Sequence, residues 1–482
     1  MESALSNELT PDFCYQALLT HDDRFDGVFF VGVSTTGIYC RTVCPARTPQ
    51  RERCRFYPSA AAAERAGFRP CLRCRPELAP GNARIDAISR LASAVAGHIE
   101  DGALTAGTVT DLASEMRISD RHLRRVTLSA FGVSPIELAQ TQRLLLAKRL
   151  LTDTTLPVTE VAYASGFSSL RRFNALFRER YRLNPTDLRR AREPVTLPEA
   201  IVCEIAYRPP LDWDALLQFL GARAVGGVEA VEGRRYLRAV AWKQYRGWIT
   251  SEPSQRKSTL SVTLSSSLAP VLLPILARLK RLFDLNAEPR QIASHLGPLA
   301  QSHPGLRVPG AFDGFETAVR AILGQQVSVR AATTLAGRLA AAFGEPIQTP
   351  YASLFCLPPT AERIASAQVE AITALGITKA RAHSILALAR VVSDGSIVLE
   401  PGSDVEDTMA RLKTLPGIGD WTAQYIAMRA LCWPDAFPHT DLGIYKALGE
   451  SNPKRVLARA EAWRPWRSYA VMHLWKSLEN TP

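Results

Sequence analysis

Apolar residues along this chain change period twice. Between about residues 84 and 192 they recur every third or fourth position. Over 199–265 they gather into short alternating runs, Ala200–Ala206, Tyr236–Trp242 and Leu260–Leu264, that predict strands. From about residue 268 onward nearly everything is helical in period, with Gly/Pro punctuation. The first helical stretch holds an internal repeat. Val109-Thr-Asp-Leu-Ala113 recurs as Val158-Thr-Glu-Val-Ala162, and Phe131-Gly-Val-Ser-Pro135 as Tyr181-Arg-Leu-Asn-Pro185, about 50 residues apart with one residue inserted. Each copy predicts a short helix, N-capped by Thr110 or Thr159, then a turn and a longer helix, the second opening at Ser168. Two such copies make a pair of helix-turn-helix units.

The chain has 482 residues, which asks for about three domains. Its 46% hydrophobic and 22% charged residues exclude wholesale disorder. The most apolar stretch, Leu268–Leu279, is broken by Pro270 and Pro274 and followed by Lys280 and Arg281, so no membrane span is predicted. The N-terminus carries Glu2, Glu8 and Asp12 and lacks a secretory pattern; a cytoplasmic location is expected. Breaks are placed at Pro76–Ala83 and Arg192–Pro198. Net charge is +12, and each side of residue 195 holds +6. Nine arginines against two acids crowd residues 40–75, and eight against two crowd 167–192, predicting two separate nucleic-acid footprints.

Cys40-x3-Cys44 and Cys71-x2-Cys74, 26 residues apart, have the spacing that lets two loops converge on one tetrahedral zinc ion. Such a site is commonly structural. Here Thr35-Thr-Gly-Ile-Tyr-Cys40-Arg and Gly67-Phe-Arg-Pro-Cys71 resemble the N-terminal domain of the Ada family of DNA-methylation repair regulators. The resemblance implies that Cys40 is both ligand and nucleophile and accepts a methyl group from a DNA methylphosphotriester. Cys44, Cys71 and Cys74 complete the site, and Thr36, Arg47 and Arg69 approach phosphate. Cys14 and Cys54 do not fit the spacing.

The second repeat, Gly166-Phe-Ser-Ser-Leu-Arg-Arg-Phe-Asn-Ala-Leu-Phe-Arg-Glu-Arg-Tyr181, is similar to the signature of AraC-type regulators. Phe173 and Phe177 stand four apart and face the core, while Ser169, Arg171, Arg172 and Asn174 have the chemistry that reads base edges and holds phosphates. The glycine of the later turn is kept as Gly132 but is Arg182 in the second copy, which leaves that loop's geometry open.

Residues 404–425 predict helix, tight turn and helix around Leu415-Pro-Gly417-Ile-Gly419, whose glycines let backbone N–H groups face a phosphate. Asp441 follows 16 residues after Tyr425 and would also N-cap a helix at Leu442–Leu448. This spacing resembles the helix-hairpin-helix glycosylase superfamily. Gln244–Thr250, Leu282–Leu285, Ala321–Gln325 and Trp463–Trp475 resemble its AlkA-type 3-methyladenine DNA glycosylases, over roughly 196–482. The resemblance implies a buried Asp441 carboxylate that stabilises the oxocarbenium-like state, with Trp421, Tyr425 and Trp475 forming a pocket for a flipped base. Lyase members carry a lysine where this chain has Trp421, so a monofunctional enzyme is implied. No cysteine follows Cys432, so no iron–sulfur cluster is expected. Gln326 occupies the place of an apolar wedge. His439 and His473 are read as structural, and no Pro-Cys-His-Arg motif for guanine-O6 repair is present.

The expected architecture is multidomain α+β. A small zinc-bound α/β domain spans 1–80, an all-α double helix-turn-helix domain 84–192, a sheet subdomain 196–300, and a helical helix-hairpin-helix glycosylase domain 301–482. Expected partners are alkylated and promoter double-stranded DNA, and RNA polymerase if the regulator activates. A monomer is expected, with no membrane. Two rivals remain: a regulator with a silent glycosylase half, and a glycosylase tethered through a purely structural zinc.

Overall fold

A computed structural model of the chain describes residues 9–80, 90–189, 200–256, 258–402 and 404–479. The break at Arg192–Pro198 and residues 81–83 of the other lie outside the described residues. Contacts divide the chain into two compact units, Met1–Arg208 with Thr259–Ala277, and Pro209–Ser258 with Arg278–Pro482.

In the first unit a four-stranded sheet forms from β1 (Phe30–Val33), β2 (Ile38–Cys40), β3 (Cys54–Tyr57) and β4 (Arg69–Pro70), in the order β3-β1-β2-β4. The β2–β4 pair is parallel, Ile38 opposite Arg69 and Tyr39 opposite Pro70. Cys14 and Cys54 are buried with Phe29 and Val31 in a small core on this module and take no part in the cysteine cluster. A second core runs from Ala61 and Ala62 of this module through Leu112, Leu123, Phe131 and Leu138 of the helical repeats, so the two share one interior. Polar ties cross the same seam. Ser59 donates to the Phe131 carbonyl at 2.7 Å, Arg65 to the Gly132 carbonyl at 3.0 Å, and Arg75 to Asp153 at 2.7 Å. Glu77 pairs with buried Lys148, so the turn Pro76–Leu78, at the start of the expected break, is anchored. Glu64 is 3% exposed and accepts from Tyr39 Oη at 3.0 Å and Thr141 Oγ1 at 2.9 Å. Burial pushes its carboxyl up to about 7, against the opposing pull of these donors and Arg180.

The repeat is structural. Short helices Val109–Glu115 and Val158–Ala164 have seven residues each; long helices Asp120–Phe131 and Leu170–Tyr181 have twelve. The nineteen-residue helix Pro135–Asp153, opened by a Ser134/Glu137 capping box, joins the copies. The caps differ from the sequence reading. Thr108, in a capping box with Asp111, and Pro157 stand at the short helices' N-caps, and Ser169 caps the second long helix. Thr110 and Thr159 stand two residues past those caps, inside the first turn, where a hydroxyl does not serve as the N-cap. Each copy needs a left-handed residue in its turn and another after its long helix. Copy one uses Arg117 (φ 54°) and Gly132 (φ 72°); copy two uses Gly166 (φ 83°) and Arg182 (φ 53°). Arg182 therefore reproduces the Gly132 cap, its N–H bonding to the Arg178 carbonyl as that of Gly132 does to Leu128. The same unit holds the antiparallel strand pair Ala200–Ala206 and Thr259–Ser265.

In the second unit Glu229–Glu232, Arg235–Trp242 and Tyr245–Pro253 form an antiparallel meander. The first and last of these strands were not among the predicted runs. Beyond residue 278 the regular elements are helices, as the period predicts, while helix Trp213–Gly221 lies inside the stretch read as strands. Among the described residues no helix is long and apolar enough to cross a membrane.

Two outcomes are expected. A left-handed conformation costs a side-chain-bearing residue about 1 kcal/mol, so Arg117→Gly and Arg182→Gly should each raise the unit's urea-unfolding free energy by about that amount. Glu64 has a raised pKa, so its neutral form stabilises the fold fully below about pH 4.5, and that stability is lost as pH rises through about 7. Glu64→Gln should flatten this part of the stability–pH curve.

Candidate metal centre and aromatic pocket

Cys40 ends β2, Cys44 lies in the turn that follows, and Cys71 and Cys74 follow β4. The parallel strand pair and the Cys71 N–H to Tyr39 carbonyl bond (3.0 Å) bring the two thiol pairs together, all four sulfurs within 4.8 Å of one another. Backbone N–H groups of Arg41 and Arg73 point at Cys74 Sγ and Cys71 Sγ, both at 3.4 Å, and offset thiolate charge. The Arg41 guanidinium is committed to Asp26 beneath the cluster, a support that no spacing signalled. This soft, closed donor set fits zinc. Cys44, Cys71 and Cys74 are 4–8% exposed, while Cys40 is only partly covered. Thr36 is exposed in the β1–β2 turn, Arg69 stands beside Ile38 on β4, and Arg47 is exposed in the loop after Cys44.

On the second long helix, Phe173 and Phe177 are fully buried and Arg171 and Arg172 are exposed. Asn174 is half-buried, and the Ser169 hydroxyl accepts the Arg172 N–H as the cap.

In the second unit, helices Val405–Thr414 and Asp420–Arg429 flank the hairpin. Gly417 adopts φ 73°, where an added Cβ would meet Ser384 Oγ at 2.3 Å. Gly419 is extended (φ −91°), so its conformation does not require glycine; it stands at the helix N-cap, where it offers no capping side chain to the first N–H groups. Helix Asp420–Arg429 carries Trp421 and Tyr425, rings 5.4 Å apart and nearly parallel. Helix Arg467–Glu479 brings Trp475 to 6.3 Å from Tyr425.

Both indoles point at Asp441. Trp421 Nε1 donates to Oδ2 and Trp475 Nε1 to Oδ1, each at 2.9 Å, and Oδ1 also accepts the Ile444 N–H at 3.1 Å. Asp441 is thus both helix N-cap and pocket carboxylate, half-buried where the sequence reading has it buried. Full burial would shut the pocket floor from any ligand. Gly443 allows the approach, because a Cβ there would sit 3.0 Å from both Asp441 Oδ1 and Trp475 Cδ1. Trp421 and Trp475 are half-buried, which separates them from plain core.

The sequence reading missed Phe219, stacked on Trp475 at 6.4 Å, Arg223 lying 3.7 Å over Phe219, and Arg429, which donates to Tyr425 Oη at 2.9 Å. Burial alone raises the Tyr425 phenol, but Arg429, Arg223 and Arg320 outweigh it and hold it below its usual value. Gln326 is exposed at the loop before helix Val329–Phe343, with φ 53°. His473 is 6% exposed and burial depresses its pKa to about 4, in keeping with a structural role.

Four families match in chain order: the metal binding domain of Ada over 13–77, a helix-turn-helix domain over 112–191, the AlkA N-terminal domain over 202–313, and the HhH-GPD superfamily base excision DNA repair protein over 319–469. A Mycobacterium tuberculosis protein described as a probable bifunctional transcriptional activator/DNA repair enzyme AlkA is 39% identical over 97% of this chain and 96% of its own. The chain belongs to that bifunctional AlkA family. DNA-3-methyladenine glycosylase 2 of Escherichia coli is 42% identical over 56% of this chain and 95% of its own, on the glycosylase side of the bifunctional pair. The bifunctional transcriptional activator/DNA repair enzyme Ada of Escherichia coli is 39% identical over 26% of this chain and 34% of its own. The Ada metal-binding match encloses all four clustered cysteines, and one zinc ion is what they hold.

Metal analysis should therefore return one zinc per chain, and strong chelation should melt the β1–β4 module before the second unit. A hydrogen bond to a charged group is worth about 1.5–3 kcal/mol. Trp475→Phe, which keeps the aromatic wall, should lower the single-turnover excision rate about tenfold or more.

Proposed function

We propose that this chain repairs and senses DNA alkylation through two chemistries, monofunctional excision of N-alkylated bases at Asp441 and methyl acceptance at Cys40. The observation that carries the reading is the Asp441 carboxylate, held by two indoles at 2.9 Å each at the foot of an aromatic pocket. Stretching the N-glycosidic bond builds positive charge on the sugar, and a carboxylate fixed at both oxygens meets that charge without reorganising. The bond's electron pair leaves with the base, which departs neutral, and a water that Asp441 orients adds to the sugar carbon and releases one proton to solvent, leaving an abasic site. Trp421, Tyr425 and Trp475 offer electron-rich faces to a flipped, cationic purine. Trp421 stands where a lyase would need an amine, so no Schiff base forms there. The Gly417–Gly419 hairpin holds a phosphate through backbone N–H groups, and Gln326 enters the gap left by the base.

At the cysteine cluster, bound zinc supplies a thiol kept deprotonated at neutral pH. Cys40, the most accessible of the four, attacks the methyl carbon of a phosphotriester. A sulfur–carbon bond forms, the carbon–oxygen bond breaks, and the oxygen keeps the pair as phosphodiester anion. The cluster goes from −2 to −1, repulsion from the backbone falls, and DNA affinity rises. Thr36, Arg47 and Arg69 hold the phosphate, and Arg171, Arg172 and Asn174, on a helix capped by Ser169, face promoter DNA. The domain limits 1–80, 84–192, 196–300 and 301–482 are part of this reading, as are a monomeric, cytoplasmic protein and contact with RNA polymerase during activation.

Duplex DNA containing 3-methyladenine should release the base with wild-type protein and not with Asp441→Asn, which keeps the helix cap. Release by the variant would refute the assignment. Mass spectrometry after exposure to methylphosphotriester DNA should place a single methyl on Cys40, and Cys40→Ser should gain none; a methyl on Cys44, Cys71 or Cys74 would overturn the acceptor assignment.

A further inference from the structure

Gln325 joins three elements within the second unit. It lies in the short loop between helices Gly314–Leu323 and Val329–Phe343, one residue before Gln326. Its side-chain Nε2 donates to the Gly417 carbonyl at 2.8 Å and to Thr422 Oγ1 at 2.9 Å. A backbone carbonyl only accepts, so this contact fixes which end of the amide faces the hairpin. The Gln325 carbonyl in turn accepts from Arg381 of helix Lys379–Ser393. Ser384 of that same helix packs against Gly417, where a Cβ could not fit. Beyond this clamp the chain opens, with Gln326, Val327, Ser328, Val329 and Arg330 all exposed. Gln326 holds a left-handed φ of 53°, a conformation that is disfavoured for a residue with a side chain and that neighbouring contacts must enforce.

Thr422 is 2% exposed and sits beside Trp421, on the helix that carries the aromatic pocket. One amide thus links the loop that carries Gln326, the hairpin that faces phosphate, and the helix whose Trp421 holds Asp441. From this we infer that Gln325 is a positioning residue for base extrusion: it locks the Gln326 loop to the phosphate-gripping hairpin, so that gripping the backbone and filling the vacated stack occur in one register. The inference rests on the glycosylase reading above.

The cost of opening a base pair separates this role from a merely structural one. Unstacking and unpairing a base costs a few kcal/mol, least where its partner is missing. A loose wedge loop should slow excision of a paired lesion and spare one that is already unpaired. The test uses full-length protein, single-turnover excision and two duplexes with one 7-methylguanine, placed opposite cytosine or opposite an abasic analogue. Gln325→Leu and Thr422→Val each delete one side of the contact. Gln325→Glu keeps length and loses the donor. We expect each variant to be at least tenfold slower on the paired lesion and within about twofold of wild type on the unpaired one, with the Gln325→Leu/Thr422→Val pair no worse than Gln325→Leu alone. Equal slowing on both duplexes would mean general damage to the pocket and overturn the inference, as would wild-type rates on both. Wild-type protein inactive on both duplexes would instead sink the glycosylase reading itself.

Discussion

Asp435 is 4% exposed, and a carboxylate withdrawn from water that far costs several kcal/mol unless it is paired. Arg467 meets it at 2.7 Å and Arg464 at 2.6 Å. The pairing pins the start of helix Arg467–Glu479 to the loop that leads into Asp441, and from that fixed end the helix delivers the Trp475 indole to the carboxylate. The same demand recurs elsewhere. Arg238 satisfies Glu229 and Glu316, tying the meander to helix Gly314–Leu323. Arg41 answers Asp26 under the cysteine cluster, and Lys148 answers Glu77 between the zinc-binding module and the repeats. Hydrophobic burial assembles the layers, and buried acids that must be partnered set the register in which the working side chains stand.

Those pairings also explain what the amino-acid sequence did and did not disclose. The four cysteines, the 50-residue repeat and Asp441 were legible because ligand spacing, helical period and hairpin punctuation are local properties of the chain. Phe219 and Arg223 were not. They sit about 200 residues before Asp441, on and just after a helix whose apolar face reads as ordinary core, and nothing local says that Trp475 stacks there. Gly443 was silent for a similar reason, since only the approach of a distant indole shows why a Cβ is excluded. Strand Tyr245–Pro253 escaped because Arg246, Gly247 and Glu252 dilute the alternation, while pairing with Arg235–Trp242 supplies the ladder that propensity alone does not. The cap errors at Thr110 and Thr159 were of two residues each, the usual uncertainty of a helix end read from sequence.

The zinc-binding module and the helix-turn-helix repeats share a continuous apolar interior crossed by Ser59, Glu64, Arg65, Arg75 and Glu77. A module built this way does not swing on a tether. Tyr39, one residue before Cys40, spends its hydroxyl on Glu64, and Glu64 spends its other oxygen on the helix that joins the two repeats. The strand that ends at Cys40 and the helices of the two repeats therefore belong to one cooperative body.

Asp441 has a further consequence through its place at the head of helix Leu442–Leu448. The side chain that accepts both indoles is also the side chain that closes the helix's first turn, so its position is written by backbone grammar as well as by pocket chemistry. Drift of this residue along the chain would fray a helix as well as misplace a charge. Asparagine caps a helix as well as aspartate does, so Asp441→Asn would remove the charge and leave the helix's first turn closed.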